Sequence, residues 1–186
     1  MRFSDYIGNI KILTFPELRQ VYSFDCGANA LQSILTYYGY DIREEEIMKM
    51  AGTTEENGTS PSGLMSVAKK YGIPNEFHEN LTIDFLKKCI DNGFPVIISL
   101  QAWVDDPDRI DWNNTWDEGH YVIAIGYDNR RIYFEDPSST KRTSLTFEEL
   151  DERWHDIEED GKKYYHHGII FKGIPKYRYN DIEHMG

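Results

Sequence analysis

The chain has little cysteine. Two in 186 residues, Cys26 and Cys89, do not make a disulfide scaffold in a domain long enough to build its own core, so both are expected as free thiols. Positive charge is scarce too: 20 Lys and Arg stand against 32 Asp and Glu, a net charge of −12. With no basic stripe to neutralise phosphates, nucleic acid is excluded as a partner. The N-terminus, MRFSDYIGNIKILTF, lacks the apolar core of about 7 to 15 residues that a signal peptide needs. No apolar run approaches the ~18 residues of a membrane span, so the chain is expected to be cytoplasmic with no membrane span. Repeats, low-complexity tracts and linkers are also missing. One domain over 1–186 is expected, with its core over about 15–173 and a short tail over 174–186.

Hydrophobic residues make up 40% and aromatics 14% of the sequence, enough for a substantial core. Ala30, Leu31, Ile34, Leu35 and Tyr38 recur at helical spacing and Gly39 follows as a stop signal, which predicts a helix from Cys26 to Tyr38. Asp41 with Glu44 resembles a capping box for REEEIMKMA, and Ser60, Pro61 and Gly72 bracket a helix over SGLMSVAKKY. Thr82 opens a further helix whose apolar stripe includes Leu86, Cys89 and Ile90, making Cys89 a small buried hydrophobe. From Pro95 the pattern changes. PVIISLQAW, HYVIAIGY, RIYFED and YYHHGIIFKG look like strands, with a short helix capped by Thr146 and Glu149 between them. Helices first and strands second predict an α+β fold, its helical half carrying the cysteine and an antiparallel sheet forming the other half.

Cys26 opens a helix, where unpaired N–H groups and the positive end of the macrodipole favour thiolate over thiol. Asp25 is read as the helix cap, and Gly27 as clearance for a substrate backbone. A nucleophilic thiol needs a base, normally a histidine oriented by a third polar group. Of the six histidines, His78 lies in a polar connection, His155 follows a surface helix, His166 and His167 sit mid-strand facing opposite ways, and His184 is in the tail. His120 opens an apolar strand after a long loop, beside Gly119, at the edge where a cleft would be. Gln20, six residues before Cys26 on the chain entering the helix, is placed to aim its amide at the same oxyanion as the Cys26 N–H.

Asp128 and Asp136 compete to orient His120. Asp128 lies eight residues along the same strand, about 26 Å away at ~3.3 Å per residue. Asp136 ends the returning strand, and its match depends on parity. With Tyr127 opposite Ile132 and no bulge, Asp136 points to the face opposite His120. An odd loop or a bulge between Tyr127 and Ile132 puts Asp136 across from Val122, on the His120 face and roughly 7 to 8 Å from it between Cα atoms. Pairing of Asp136 with His120 therefore predicts an odd loop or a bulge between Tyr127 and Ile132.

The segments QVYSFDCGANAL, GHYVIAIGYD and YFEDPSS, in that order, resemble the bacteriocin-processing C39 family and related papain-fold cysteine peptidases. The resemblance extends over GTSPSGLMSVAKKYGI and covers most of the chain from Gln20 to about Gly173. It implies a papain-like fold with Cys26 as nucleophile, His120 as base, Asp136 as its orienting group and Gln20 in the oxyanion hole, acting without a cofactor on a peptide or amide. Bacteriocin processors are usually fused to membrane and ATP-binding segments and cut after a double glycine; this sequence has no span and no phosphate loop, so leader processing is not implied. An acyltransferase using the same residues, or a papain-fold binding module without turnover, are the alternative readings. The acidic loop over 104–118 offers Trp112 and Trp116 as cleft-lining residues for substrate, or simply as packing. Its alternating oxygens fail as a calcium loop, with Trp116 at the turn glycine and Val122 at the last glutamate, and no metal is assigned.

Overall fold

The computed structural model of the chain describes residues 10–158, 161–180, 182 and 184–185, apart from the side chain of Asp108. Its elements run β1 (Lys11–Ile12), α1 (Cys26–Tyr37), α2 (Glu44–Ala51), α3 (Pro61–Lys70), β2 (Asn75–His78), α4 (Ile83–Asp91), β3 (Val96–Gln101), β4 (Gly119–Tyr127), β5 (Arg131–Glu135), β6 (Thr143–Thr146), α5 (Phe147–Arg153), β7 (His155–Ile157), β8 (Lys163–Tyr165) and β9 (Gly168–Phe171). Six strands form an antiparallel sheet in the order β2-β9-β3-β4-β5-β6, and β1 pairs with the far end of β4. β7 and β8 make a separate hairpin.

Side chains alternate across the sheet, and both faces are covered. Ile97, Ile123, Ile125, Ile169 and Phe171 pack under α1, α2 and α3. Val96, Ile98, Leu100, Val122 and Ile170 pack under α4 and α5 with Leu86, Leu150 and Trp154. This double covering is why PVIISLQ reads as an unbroken apolar run: all six residues of β3 are buried. Each fully buried Ile or Leu contributes about 1.5–3 kcal/mol of transfer free energy, so the two layers fix where α1 lies against β4.

The caps explain the helix boundaries. Ser60 Oγ accepts from Gly63 N, Thr82 Oγ1 from Phe85 N, and Thr146 and Glu149 form a reciprocal capping box. Asp41 does not cap α2; Arg43 occupies that position with no side-chain bond, and Gly52 ends the helix at φ +72°. Asp25 flanks α1 without capping it through its side chain. The predicted strand YYHHGIIFKG is two, β8 and β9, because His166 takes φ +46° between them and breaks the extended run. Among the described residues, no helix is long and apolar enough to cross a membrane.

Candidate active site

Cys26 is the first residue of α1 and half-exposed. Its helix is packed so closely that a Cβ on Gly27 would lie 3.0 Å from both Thr59 and Tyr121; that glycine is buried and makes room for these neighbours. The amides of the first turn have no partner inside the helix and leave its positive end in the cleft. His120, the second residue of β4, is buried, and its Nε2 lies 2.8 Å from Asp136 Oδ1. Asp136 also accepts from Ser138 N at 2.9 Å and Thr143 Oγ1 at 3.1 Å. With Nε2 given to the carboxylate, Nδ1 is the nitrogen left for the sulfur.

Two charges act on the imidazole. Burial disfavours its protonated form, but hydrogen bonding to Asp136 and Cys26, together with their charges, outweighs burial and holds it up at about 9. Burial likewise works against the Asp136 carboxylate, yet the bond and charge of His120, with the Ser138 amide and Thr143 hydroxyl, hold it below the usual carboxylate range. The acid and base stabilise each other's charged forms in a nearly dry seam between helix and sheet.

The expected parity is present, but its source differs. Tyr127 pairs with Ile132, the even arrangement, and the bulge falls instead at Ile125, between the pairs Ala124 with Phe134 and Gly126 with Tyr133. Ile123 then faces Glu135, which brings Asp136 level with Val122.

Gln20 is anchored beside this group. Its N–H donates to Pro137 O at 3.1 Å, its Oε1 accepts from Ser138 Oγ at 2.8 Å and its Nε2 donates to Tyr22 O at 2.6 Å. One amide hydrogen remains. Arg19 secures the same segment, with Nη1 2.5 Å from the buried carboxylate of Glu135, which Arg142 also approaches at 3.5 Å. Sequence reasoning did not single out Arg19, Glu135 or Ser138. Their signal was proximity to Gln20 and Asp136 in sequence, which carries no chemistry until the two segments meet.

Two grooves meet at Ser23 and Gly119, beside the thiol. One, of about 370 Å3, runs past Cys26 and Gly119 and carries the carboxyls of Glu55, Glu56 and Asp156. Gly119 is needed for a local reason, since a Cβ there would lie 2.6 Å from Asp156 Oδ1. Burial pushes the Asp156 carboxyl up, against the Ser99 hydroxyl, the Ile157 amide and Gln101. The other groove carries Gln20, His120 and Trp103. Trp103 takes φ +61°, rare for a bulky residue, and is 56% exposed. Trp112 and Trp116 are not on these walls. Trp112 is buried under the Arg153 guanidinium at 3.9 Å, and Trp116 packs on His155 at 4.4 Å, so both fasten the long loop to the body. Trp103, the last residue of the run PVIISLQAW, is the tryptophan at the cleft.

A helix-borne thiol set against a strand-borne imidazole, with helices covering both faces of an antiparallel sheet, defines the class: a papain-like α+β fold of the cysteine-peptidase type. The model of the peptidase C39 family matches residues 14–158, and the chain belongs to that family. It is 26% identical over 171 residues to the SPbeta prophage-derived sublancin-168-processing and transport ATP-binding protein SunT of Bacillus subtilis (strain 168), covering 84% of this chain and 21% of that protein. The chain thus spans about a fifth of the length of that relative. Among solved structures it is similar to a C39-like peptidase from Bacillus anthracis, with TM-score 0.64, 20% identity, and coverage of 90% of this chain and 99% of that one. It is also similar to a double glycine motif protease of an AMS/PCAT transporter solved with its leader peptide, with TM-score 0.62, 21% identity, and coverage of 88% and 94%. The peptidase domain of Streptococcus ComA matches at TM-score 0.59 and 20% identity, covering 83% of this chain and 95% of that domain.

Proposed function

We propose that this chain hydrolyses a peptide or amide bond through an acyl-enzyme on Cys26. The observation that carries the reading is His120, bonded through Nε2 to Asp136 at 2.8 Å while its ring also interacts with Cys26. The thiolate adds to the carbonyl carbon and the carbonyl electron pair moves onto oxygen, where the Cys26 N–H and the remaining Gln20 amide hydrogen receive it. His120 gives its Nδ1 proton to the departing amine, leaving a thioester. The neutral ring then takes a proton from water, which releases the acid and restores the thiol-imidazole pair. Asp136 holds the ring by Nε2 and stabilises its cation throughout. Unpaired Cys26 and Cys89 support a cytoplasmic setting. The carboxyls of Glu55, Glu56 and Asp156 beside the thiol favour substrate segments carrying positive charge over acidic ones.

The test is cleavage-site profiling on a proteome-derived peptide library. Wild-type protein should create new peptide termini that Cys26→Ser does not, with basic residues enriched near the cut. His120→Gln should slow cleavage by ~10²–10⁴. Equal termini from wild type and Cys26→Ser would refute hydrolysis at this thiol.

A further inference from the structure

Behind the nucleophile lies a pair of carboxyls that the mechanism above does not use. Asp25 is 0% exposed, and its Oδ2 accepts from Tyr22 N at 2.9 Å and Val21 N at 3.3 Å. It therefore holds the turn between Gln20 and the start of α1. Its other oxygen, Oδ1, is shut off from solvent and has no donor among the described residues. Glu44, the first residue of α2, is 7% exposed, whereas Glu45 and Glu46 beside it are exposed. Glu44 Oε2 accepts from Asn29 Nδ2 of α1 at 3.2 Å, and Glu44 Oε1 is again buried without a donor. Asn29 ties the two together: its N–H donates to Asp25 O at 2.9 Å, one turn back along α1, while its side-chain amide holds Glu44, so both unpaired carboxyl oxygens lie on the same buried side of α1 and act on each other.

Ionised carboxylates only accept, so two of them facing one another bury two unpaired oxygens and two like charges. A single proton between them satisfies both oxygens and removes one charge. Asp25 Oδ2 is already occupied by two backbone donors, so the free Asp25 Oδ1 is the acceptor that faces the unpaired Glu44 Oε1.

We propose that Glu44 is a positioning residue of the Cys26 site: as a carboxylic acid it donates to Asp25 Oδ1, and through Asp25 it fixes the Val21–Tyr22 backbone and the Gln20 amide that faces the oxyanion. The inference rests on the hydrolase reading above. Burial, with the Asp25 charge adding to it, pushes the Glu44 carboxyl up to about 7, partly offset by Asn29. The groups acting on Glu44 are Asp25 and Asn29 from α1 and Glu45 from its own helix. Loss of the Glu44 proton therefore unlocks the turn just above neutrality.

Two probes separate positioning from simple packing. N-Acetylglycylglycinal reacts by addition of the Cys26 sulfur to its aldehyde carbon, and the resulting oxygen needs the same donors as the substrate oxyanion. Iodoacetamide loses iodide to the same sulfur and forms no oxyanion. Glu44→Gln keeps both contacts, with Nε2–H toward Asp25 and Oε1 toward Asn29, and should bind the aldehyde about as well as wild type does at pH 6. Glu44→Leu strands Asp25 Oδ1, and should weaken the aldehyde adduct about tenfold to hundredfold while iodoacetamide reacts at close to the wild-type rate. As pH rises through about 7, wild type should lose aldehyde affinity and Glu44→Gln should not. This second comparison needs only wild type and Glu44→Gln, which keeps both contacts, so it decides even where Glu44→Leu does not fold. Superimposable pH profiles for wild type and Glu44→Gln, or undiminished aldehyde affinity in a folded Glu44→Leu, would overturn the role of Glu44. An aldehyde that forms no Cys26 adduct with wild type, with iodoacetamide still labelling it, would overturn the hydrolase reading and this inference together.

Discussion

Replacing Asp136 with asparagine isolates the charge that the structure sets against His120. The substitution is nearly isosteric. Oδ1 still receives the His120 and Ser138 N–H groups, and the new amide faces Thr143 Oγ1, which can accept. What disappears is a buried negative charge 2.8 Å from Nε2. Moving the imidazole from 6.5 to about 9 corresponds to about 3 kcal/mol of preference for its cation, at ~1.36 kcal/mol per tenfold change. The hydrogen bond to Asp136 is the largest single cause that raises it, and burial opposes the contributions of both Asp136 and Cys26. Losing that charge and turning a charge-assisted bond into a neutral one leaves burial opposed mainly by Cys26, so the midpoint should fall by at least about one pH unit. Titration of the ring carbons by NMR in histidine-labelled protein measures this without a substrate, with His120→Gln assigning the signal. The expected result is a wild-type midpoint near 9 and an Asp136→Asn midpoint below about 8. A wild-type midpoint at an ordinary 6.5, or one that Asp136→Asn leaves in place, would refute the coupling of the two residues.

The same raised imidazole makes stability depend on pH. Because the folded value lies above the ordinary 6.5, the contribution of His120 is complete below 6.5 and lost as pH rises through about 9. Urea unfolding of wild type and His120→Gln should differ most at the acid side of that window and converge at its alkaline side. Burial pushes the Cys89 thiol up to about 11, so iodoacetamide near neutral pH should alkylate Cys26 first by peptide mass mapping; preferential labelling of Cys89 would contradict the site. Trp103→Ala should raise KM with little loss of stability, since the side chain is 56% exposed. Trp112→Ala should instead cost about 3 kcal/mol in thermal or urea unfolding, because it removes a buried side chain.

Much of the helical half is legible in the sequence because caps and stops are local. Gly39, Gly52, Gly72 and Gly93 all take positive φ at or just past helix ends, and the hydroxyl caps at Ser60, Thr82 and Thr146 are present as expected. The sheet is less legible at its margins. β2 and β6 are short edge strands with half-exposed residues, so neither shows the apolar run that identifies β3 or β4. The acidic residues mislead for a related reason. Asp25 and Glu44 occupy positions where carboxyls commonly cap helices, and only the packing of α1 against α2 turns both inward. A tryptophan's place in a loop is equally hidden: Trp112 finds Arg153 some forty positions away.

The register of the β4–β5 hairpin is the most instructive case, because the parity argument succeeds while its location fails. Counting from the turn requires one extra residue for Asp136 to share a face with His120, and the turn is the obvious place to put it. The chain puts it at Ile125, inside β4. The signal was Gly126, a glycine interrupting an otherwise apolar strand, which often marks a bulge or a close backbone approach. Both hold here. A Cβ on Gly126 would lie 2.7 Å from Lys11 O, so the glycine lets β1 pair at the end of β4 just where the bulge bends it. Beyond the bulge, toward the cleft, every residue of β4 has changed faces relative to an unbulged hairpin, His120 included. The ion pair of His120 and Asp136 therefore depends on a residue five positions from the histidine that touches neither the sulfur nor the substrate.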